Sequence, residues 1–468
     1  MPHAIETITP DSWPADLSNL FCGLSVLLGL LKLVGHSPST PSTDRVTRNQ
    51  ASQKAAFAAF QHEYLAVYLV IMLADWLQGT NMYTLYNGYG VSVSTLFLSG
   101  FTSSLVFGTF VGLLVDAYGR KRACILFCLL EIVINAMEHV PSMPVLLLGR
   151  ILGGISTSLL FSAFESWMVA EHRRRKFPEA WLARTFGMAA AGNGAVAVLA
   201  GLFAQVAADY RGDIGPFQLA IVLTIVALVL VLRWPENYGA DDAEHGNFAS
   251  CVSASLSLAS RTIMGNRRVA LLTAVSALFE GATYTFVFMW VPRLIDLYPY
   301  GGNLPTGLIF ASFMVCITIG GVIYSALMGD GPAKIGRVEK LSLVCLLTSA
   351  AAMTVPVVGA PTAVVPTLAP ALGTFGPTLA AFLVLEASIG CFNACAATMR
   401  ASYIPDDAQA AIMNLGRIPL NVLVVAGTYI AANAPAQLAF AAVAAALLSG
   451  AALQRELLVV VRAGEKQF

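Results

Sequence analysis

Charge is what this chain has least of. Only 12% of its 468 residues are Asp, Glu, Lys or Arg, and 27 basic against 27 acidic side chains leave a formal net charge of zero. That balance removes the basic footprint a nucleic-acid binder needs, so charge carries meaning only loop by loop. Metal-ligand and redox patterns are missing as well. The eight cysteines form no C-x-x-C, and Cys124 with Cys128 and Cys391 with Cys395 stand one helical turn apart in apolar runs, as small packing residues do. No structural disulfide, metal or cofactor is expected. The six histidines (His3, His36, His62, His139, His172 and His245) are scattered through tails, loops and helix ends. They leave no nucleophile–base pair or ligand set, so the chain reads as a non-enzyme.

What it has in excess is apolar surface. Hydrophobic residues make up 57% and mean hydropathy is +0.71, which describes a chain whose solvent is mostly lipid. Runs of about 20 apolar residues are needed to cross a bilayer's hydrocarbon. They occur at Leu17 to Val34, then at Phe57 to Gln78, Ser92 to Val115, Ala123 to Val140, Val145 to Ala170, Ala183 to Ala208 and Phe217 to Leu232. After a polar stretch come Val269 to Leu294, Thr306 to Met328, Leu341 to Val358, Phe375 to Arg400, Ala410 to Ala431 and Gln437 to Val461. The expectation is an all-α membrane protein with one extra N-terminal helix and six plus six further spans. Glu6, Asp11 and Asp16 ahead of the first run argue against a cleaved signal peptide, so that helix is expected to be retained.

Lysine and arginine occupy alternate loops. Arg45, Arg48 and Lys54, then Arg120 to Arg122, Arg173 to Lys176, Arg233, Arg261, Arg267 and Arg268, then Lys334, Arg337 and Lys340, and finally Arg455, Arg462 and Lys466 fall on one side, against only Arg211 and Arg293 on the other. By the positive-inside rule the C-terminus and central linker are cytoplasmic and the N-terminus is outside. The expected divisions are 1–55 (leader, extra helix and loop), 56–233 (first six-helix bundle), 234–268 (polar, Ser-rich linker) and 269–468 (second bundle and tail).

Two motifs organise the first half. Gly112 to Arg122 (G-L-L-V-D-A-Y-G-R-K-R) packs Asp116, Arg120, Lys121 and Arg122 into a short loop between spans, with Asp116 placed to accept from free N–H groups at a neighbouring helix start. The loop reads as part of a gate. Asp116, Gly119 and Arg120 recur loosely as Asp330, Gly336 and Arg337 in the second half, and Leu77-Gln78-Gly79 is echoed by Phe279-Glu280-Gly281. Such a parallel repeat of six-helix bundles, with its site near mid-membrane between halves, resembles the major facilitator superfamily.

A narrower resemblance rests on Ala74 to Gln78 (A-D-W-L-Q) with Tyr83 and Tyr86, Gly149 to Trp167 with Glu171-His172, Leu278 to Glu280 with Phe286 to Pro292, Gly307 to Met314, and Asn414 to Leu420. From about Phe60 to Leu420 the chain is similar to the molybdate-anion transporter family. The resemblance implies uptake of molybdate, a tetrahedral oxyanion. A plasma-membrane setting is expected, and protons are the expected coupling ion because moving a dianion inward against an interior-negative potential is costly. Composition and spacing alone would equally allow a proton-coupled exporter of small organic solutes, or a sensor or scaffold that kept the fold.

Ionisable side chains in membrane helices are costly, and each is a functional candidate. A dianion suits guanidinium forks, which points to Arg417 and Arg150, with Asn414 and Asn421 beside Pro419 adding amide donors. The alternative for each arginine is an internal ion pair or helix packing. Gln78, Tyr83, Tyr86 and Tyr284 are expected at the cavity through polar tips, and Asn193 through its small neighbours Gly192 and Gly194. Asp75, Glu280 and Glu386 are poor anion ligands when ionised; protonated, a buried acid donates to an oxyanion, so proton coupling is their expected role. Permanent pairing to Arg150 or Arg417 is the competing one. The cytoplasmic gate is expected to comprise Asp116, Arg120, Glu165, Arg184, Asp330, Arg337 and Arg400, away from substrate. Glu131 reads as a satisfied polar residue, and Glu138, His139 and Arg173 to Lys176 as solvated loop charge.

Overall fold

The computed structural model describes residues 13–35, 48–237, 248–300, 302–328, 336–358, 374–405 and 409–465. Asp330 lies outside them, as do the side chains of Asp116 and Asn414. The described residues form fourteen helices and no strand. α1 is Ala15–Gly35; α2 Arg48–Gly88, α3 Val93–Tyr118, α4 Arg120–Met137, α5 Met143–Arg174, α6 Glu179–Arg211 and α7 Gly215–Val231 follow as a set of six. α8, Phe248–Gly265, lies in the linker. A second set of six comprises α9 Arg267–Leu297, α10 Thr306–Met328, α11 Arg337–Val358, α12 Phe375–Tyr403, α13 Gln409–Asn433 and α14 Ala436–Glu465. Ten of the helices are long and apolar enough to cross a bilayer, and shorter apolar stretches lie in α3 and α7.

Local chemistry sets the helix ends. Ser92 accepts from the Thr95 N–H to cap α3, and Asn266 accepts from the Arg268 and Val269 N–H groups to cap α9. Between α3 and α4 only Gly119 intervenes, at φ +107°, a conformation that L side chains rarely adopt. The start of α4 is capped by Glu236, which accepts from Lys121 N at 2.8 Å and Arg122 N at 3.2 Å. Glu236, at the start of the linker, thus supplies an anionic cap to α4.

Within the first set α3 packs on α5, α4 on α5 and α7, and α2 on α6 and α7; within the second, α9 packs on α13 and α14, and α12 on α10 and α11. The sets meet where α6 crosses α10 and α3 crosses α13. Glycines permit the first crossing: a Cβ on Gly201 would sit 2.6 Å from Gly307 O, and one on Gly307 2.4 Å from Gly201 O. There Gln205 Oε1 accepts from Gly307 N at 3.0 Å.

α1 lies against α10, outside both sets of six. Trp13 Nε1 donates to Asp209 Oδ2 at 2.9 Å, and Tyr300 donates to Asp16 Oδ2 at 2.7 Å, so the start of α1 is at the bundle face opposite α8. Its exposed Val26, Leu27, Leu30 and Leu33 suit lipid. The polar, Ser-rich linker holds α8, whose Ala259 and Ile263 pack with Val269, Ile404 and Ile412 at the ends of α9, α12 and α13.

Candidate functional site

A cavity of about 410 Å³ lies between the two sets of six helices. Asp75, Gln78 and Gly79 of α2, Gly100 and Phe101 of α3, Glu131 of α4, and Arg150, Gly153 and Phe161 of α5 face it from the first half. Glu280 and Tyr284 of α9 and Arg417, Leu420 and Asn421 of α13 face it from the second. Each wall therefore supplies both an acid and an arginine. The described contacts between halves on α2, α3 and α9 are aromatic and lie toward the face away from α8: Tyr83 and Phe97 meet Phe288 edge-on, and Phe101 meets Tyr284 at 5.5 Å between centroids.

Arg417 faces the cavity from α13. α13 carries Pro419 two residues on, which removes a backbone donor within the helix. The guanidinium lies 5.7 Å from the centre of the Phe161 ring across the cavity and, among the described residues, forms no hydrogen bond or ion pair. An aromatic face stabilises that cation without neutralising it. Nearby Asn421 is buried, whereas Tyr284 remains 43% exposed and so accessible from the cavity.

Arg150 is differently employed. Its Nη2 donates to Glu138 Oε1 at 2.7 Å, its Nη1 faces Met82 Sδ at 3.3 Å, and its Cζ is 5.8 Å from the Tyr86 ring centre. Tyr86 OH donates to the same Glu138 oxygen at 2.9 Å. Glu138 is only 1% exposed, which corrects its reading as solvated loop charge: it balances a buried arginine. His139 is likewise engaged, with Nδ1 near Asn135 O and Nε2 near Gln218. Arg150 Nε remains without a partner while the side chain lines the cavity. Its permanent partner is thus Glu138, and not Asp75 or Glu280.

Glu131 is satisfied as expected, but on the cavity wall itself. It accepts from Ser156 Oγ at 2.5 Å and Gln78 Nε2 at 2.9 Å, with Asn135 Nδ2 at 3.3 Å. Gln78 is therefore oriented by an acid. Asp75 is exposed to the cavity, with Glu131 as its charged neighbour, and Glu280 has Arg400 and Arg417 as its own.

Other expected site residues are elsewhere. Tyr86 is buried beneath the wall, Tyr83 packs against Phe288, and Asn193 accepts from Trp76 Nε1 at 2.9 Å, so none of the three lines the cavity. Glu386 is buried in α12 behind the wall. Among the expected gate residues, Glu165, Arg184 and Arg337 are exposed, and Arg120 donates its backbone N–H to Asn237 O. Arg400, expected with them, instead faces a smaller cavity of about 110 Å³ together with Glu280 and Arg417. The loop after α5 is also more engaged than expected: buried Glu171 accepts from Arg174 and Arg175, and His172 is buried against Phe57 and Phe177.

Known proteins share this architecture. The model of a family described as sugar transporters with twelve transmembrane helices matches residues 18–377. The molybdate-anion transporter of Xenopus laevis is 34% identical over 413 residues, which cover 85% of either chain. The chain belongs to the molybdate-anion transporter family. Its relative of the same description in Danio rerio is 32% identical over 416 residues, 82% of either chain. A crystal structure of the nucleoside transporter NupG superposes with a TM-score of 0.62 at 11% identity, covering 86% of this chain and 98% of that one, which shows a shared fold. The protein is therefore a multi-pass integral membrane protein with a major facilitator fold and is a membrane transporter. Arg417 and Asn421 fall beyond the stretch that the family model matches.

The residues missed by sequence reading had a legible signal. Glu131, Asn135 and Glu138 recur at i, i+4 and i+7 of α4, which places all three on one helix face. Treated as one polar stripe, they point to Ser156 and Arg150 on the adjacent α5.

Proposed function

We propose that this chain carries molybdate or a closely related tetrahedral oxyanion through the central cavity by alternating access, in uptake driven by protons. The observation that carries the reading is Arg417: a cavity-facing guanidinium with no ionic partner, in a chain whose relatives are named molybdate-anion transporters. A planar fork donates to two oxygens of a tetrahedral anion at once. Asn421 and Tyr284 add neutral donors, and the free Arg150 Nε adds one from the other half. Glu386, Asn193, Tyr83 and Tyr86 support the site from outside the wall.

Coupling follows from energetics. Carrying a dianion inward against an interior-negative 100 mV costs about 4.6 kcal/mol, twice the roughly 2.3 per charge. Asp75 and Glu280 on opposite walls are the groups placed to take up the protons that offset it. Clustering of basic residues at the α8 face supports a cytoplasmic linker and C-terminus and an external N-terminus, with 56–233 and 269–468 moving as the two bodies. Aromatic contacts toward the opposite face support a conformation closed there.

A second reading, a proton-coupled exporter of organic solutes, is favoured by the aromatic wall of Trp76, Phe97, Phe101, Phe161 and Tyr284 with its three acids. Thermal stabilisation separates the two. Molybdate, tungstate or sulfate should raise the melting temperature of the purified chain while organic cations leave it unchanged; the reverse pattern selects the exporter.

A further inference from the structure

The smaller cavity is not an isolated void. It shares Glu280, Arg417 and Leu420 with the central one and adds Arg400, Thr273 and Ser276. Its residues lie where α9 begins, α12 ends and α13 begins, so it continues from the central cavity toward the face that carries α8. Its polar groups are almost all donors. Arg400 and Arg417 set two guanidiniums against the single carboxylate of Glu280, and Ser276 Oγ is buried without a hydrogen-bond partner. Like Arg417, Arg400 forms no ion pair among the described residues. An uncompensated cation within a membrane protein is costly unless an anion or water meets it.

We propose that this pocket is a second oxyanion subsite, and that Arg417 passes the anion from the central cavity to Arg400 on its way to the α8 face. The inference rests on the oxyanion reading of the central cavity and deepens it. Arg417 faces both spaces, so one dianion occupies them in turn: two at once would crowd like charges around a shared guanidinium. Pro419 frees α13 of one backbone hydrogen bond just beyond Arg417, and Gly416 brings that helix close to Thr273, 3.2 Å from a Cβ at position 416. Glu280 lines both cavities with Arg417 and feels the charge of both arginines, so its carboxylate competes with the anion for them on release. Arg400 thereby becomes a substrate-contacting residue and not a distant gate.

Cysteine protection in the full-length chain tests this. Ser276→Cys reports the inner pocket and Thr157→Cys, on α5 in the lining of the central cavity, reports that cavity, with tungstate as probe and labelling followed by mass spectrometry at each introduced thiol. At tungstate ten times its dissociation constant, labelling of both positions is expected to slow, by up to about tenfold if one anion occupied each site fully and by less where occupancy is shared. Added Arg400→Gln should abolish protection at 276 and preserve it at 157, whereas Arg400→Lys should restore it at 276. Protection at 157 alone in the wild-type background, or protection at 276 that survives Arg400→Gln, overturns the second subsite. Absence of protection at both positions overturns the oxyanion reading itself. Should Arg400→Gln fail to fold, Arg400→Leu takes its place with the same readings: protection lost at 276 and kept at 157 supports the relay, and protection kept at 276 contradicts it.

Discussion

Arg150 and Glu138 are 13% and 1% exposed, so neither charge can fall back on water if its partner is removed. Glu138→Ala is expected to destabilise the protein by about 3–5 kcal/mol, read as a lower melting temperature in detergent, because it strands a buried guanidinium. Pairing that change with Arg150→Leu should recover much of the loss; a single mutant as stable as wild type would mean that the pair contributes nothing. For Glu280→Gln, oxyanion binding should persist while acid-driven uptake disappears, since the amide keeps the shape but cannot carry the proton. Wild-type proton dependence in that variant would remove Glu280 from coupling. At this scale the sequence showed which side chains were costly but not who met them. Arg417, Asp75 and Glu280 were identifiable as ionisable residues within apolar runs, yet Glu138 looked like loop charge because it ends its run, and only packing of α4 on α5 reveals its burial.

The elements follow from hydrophobic length. Each of the thirteen apolar runs coincides with a helix, ten of which are long and apolar enough to cross a bilayer, and α2, α5, α6 and α9 exceed their runs at both ends because polar residues continue the backbone hydrogen-bond pattern into the interface. α8 was not predicted with bounds, since its serines and mixed charge lack such a run and its helical state is supported by packing on α9 and α13. Element contacts depend on small residues. Gly154 has Ser103 Oγ 2.3 Å and Ser104 N 2.5 Å from where a Cβ would lie, which fixes how closely α3 approaches α5. Gly154→Ala is expected to cost about 1–3 kcal/mol by forcing those helices apart; an unchanged melting temperature would show that the contact relaxes freely.

For the whole molecule, the proposed proton coupling implies transport that responds to both gradients across the membrane. In proteoliposomes, an inward proton gradient should accelerate molybdate accumulation, and an interior-negative potential without that gradient should slow it, as expected for a dianion that needs proton compensation. Uptake indifferent to both would rule out the coupling. Substrate class was legible only through motif resemblance: nothing in the apolar pattern distinguishes an oxyanion cavity from one for organic solutes, because both need a few polar groups brought together from distant helices. The most direct measurement is molybdenum accumulated by proteoliposomes holding wild type or Arg417→Ala, each verified as folded by its melting temperature. The account predicts robust uptake for the wild type and uptake at the protein-free background for the variant; equal accumulation by the two would contradict it.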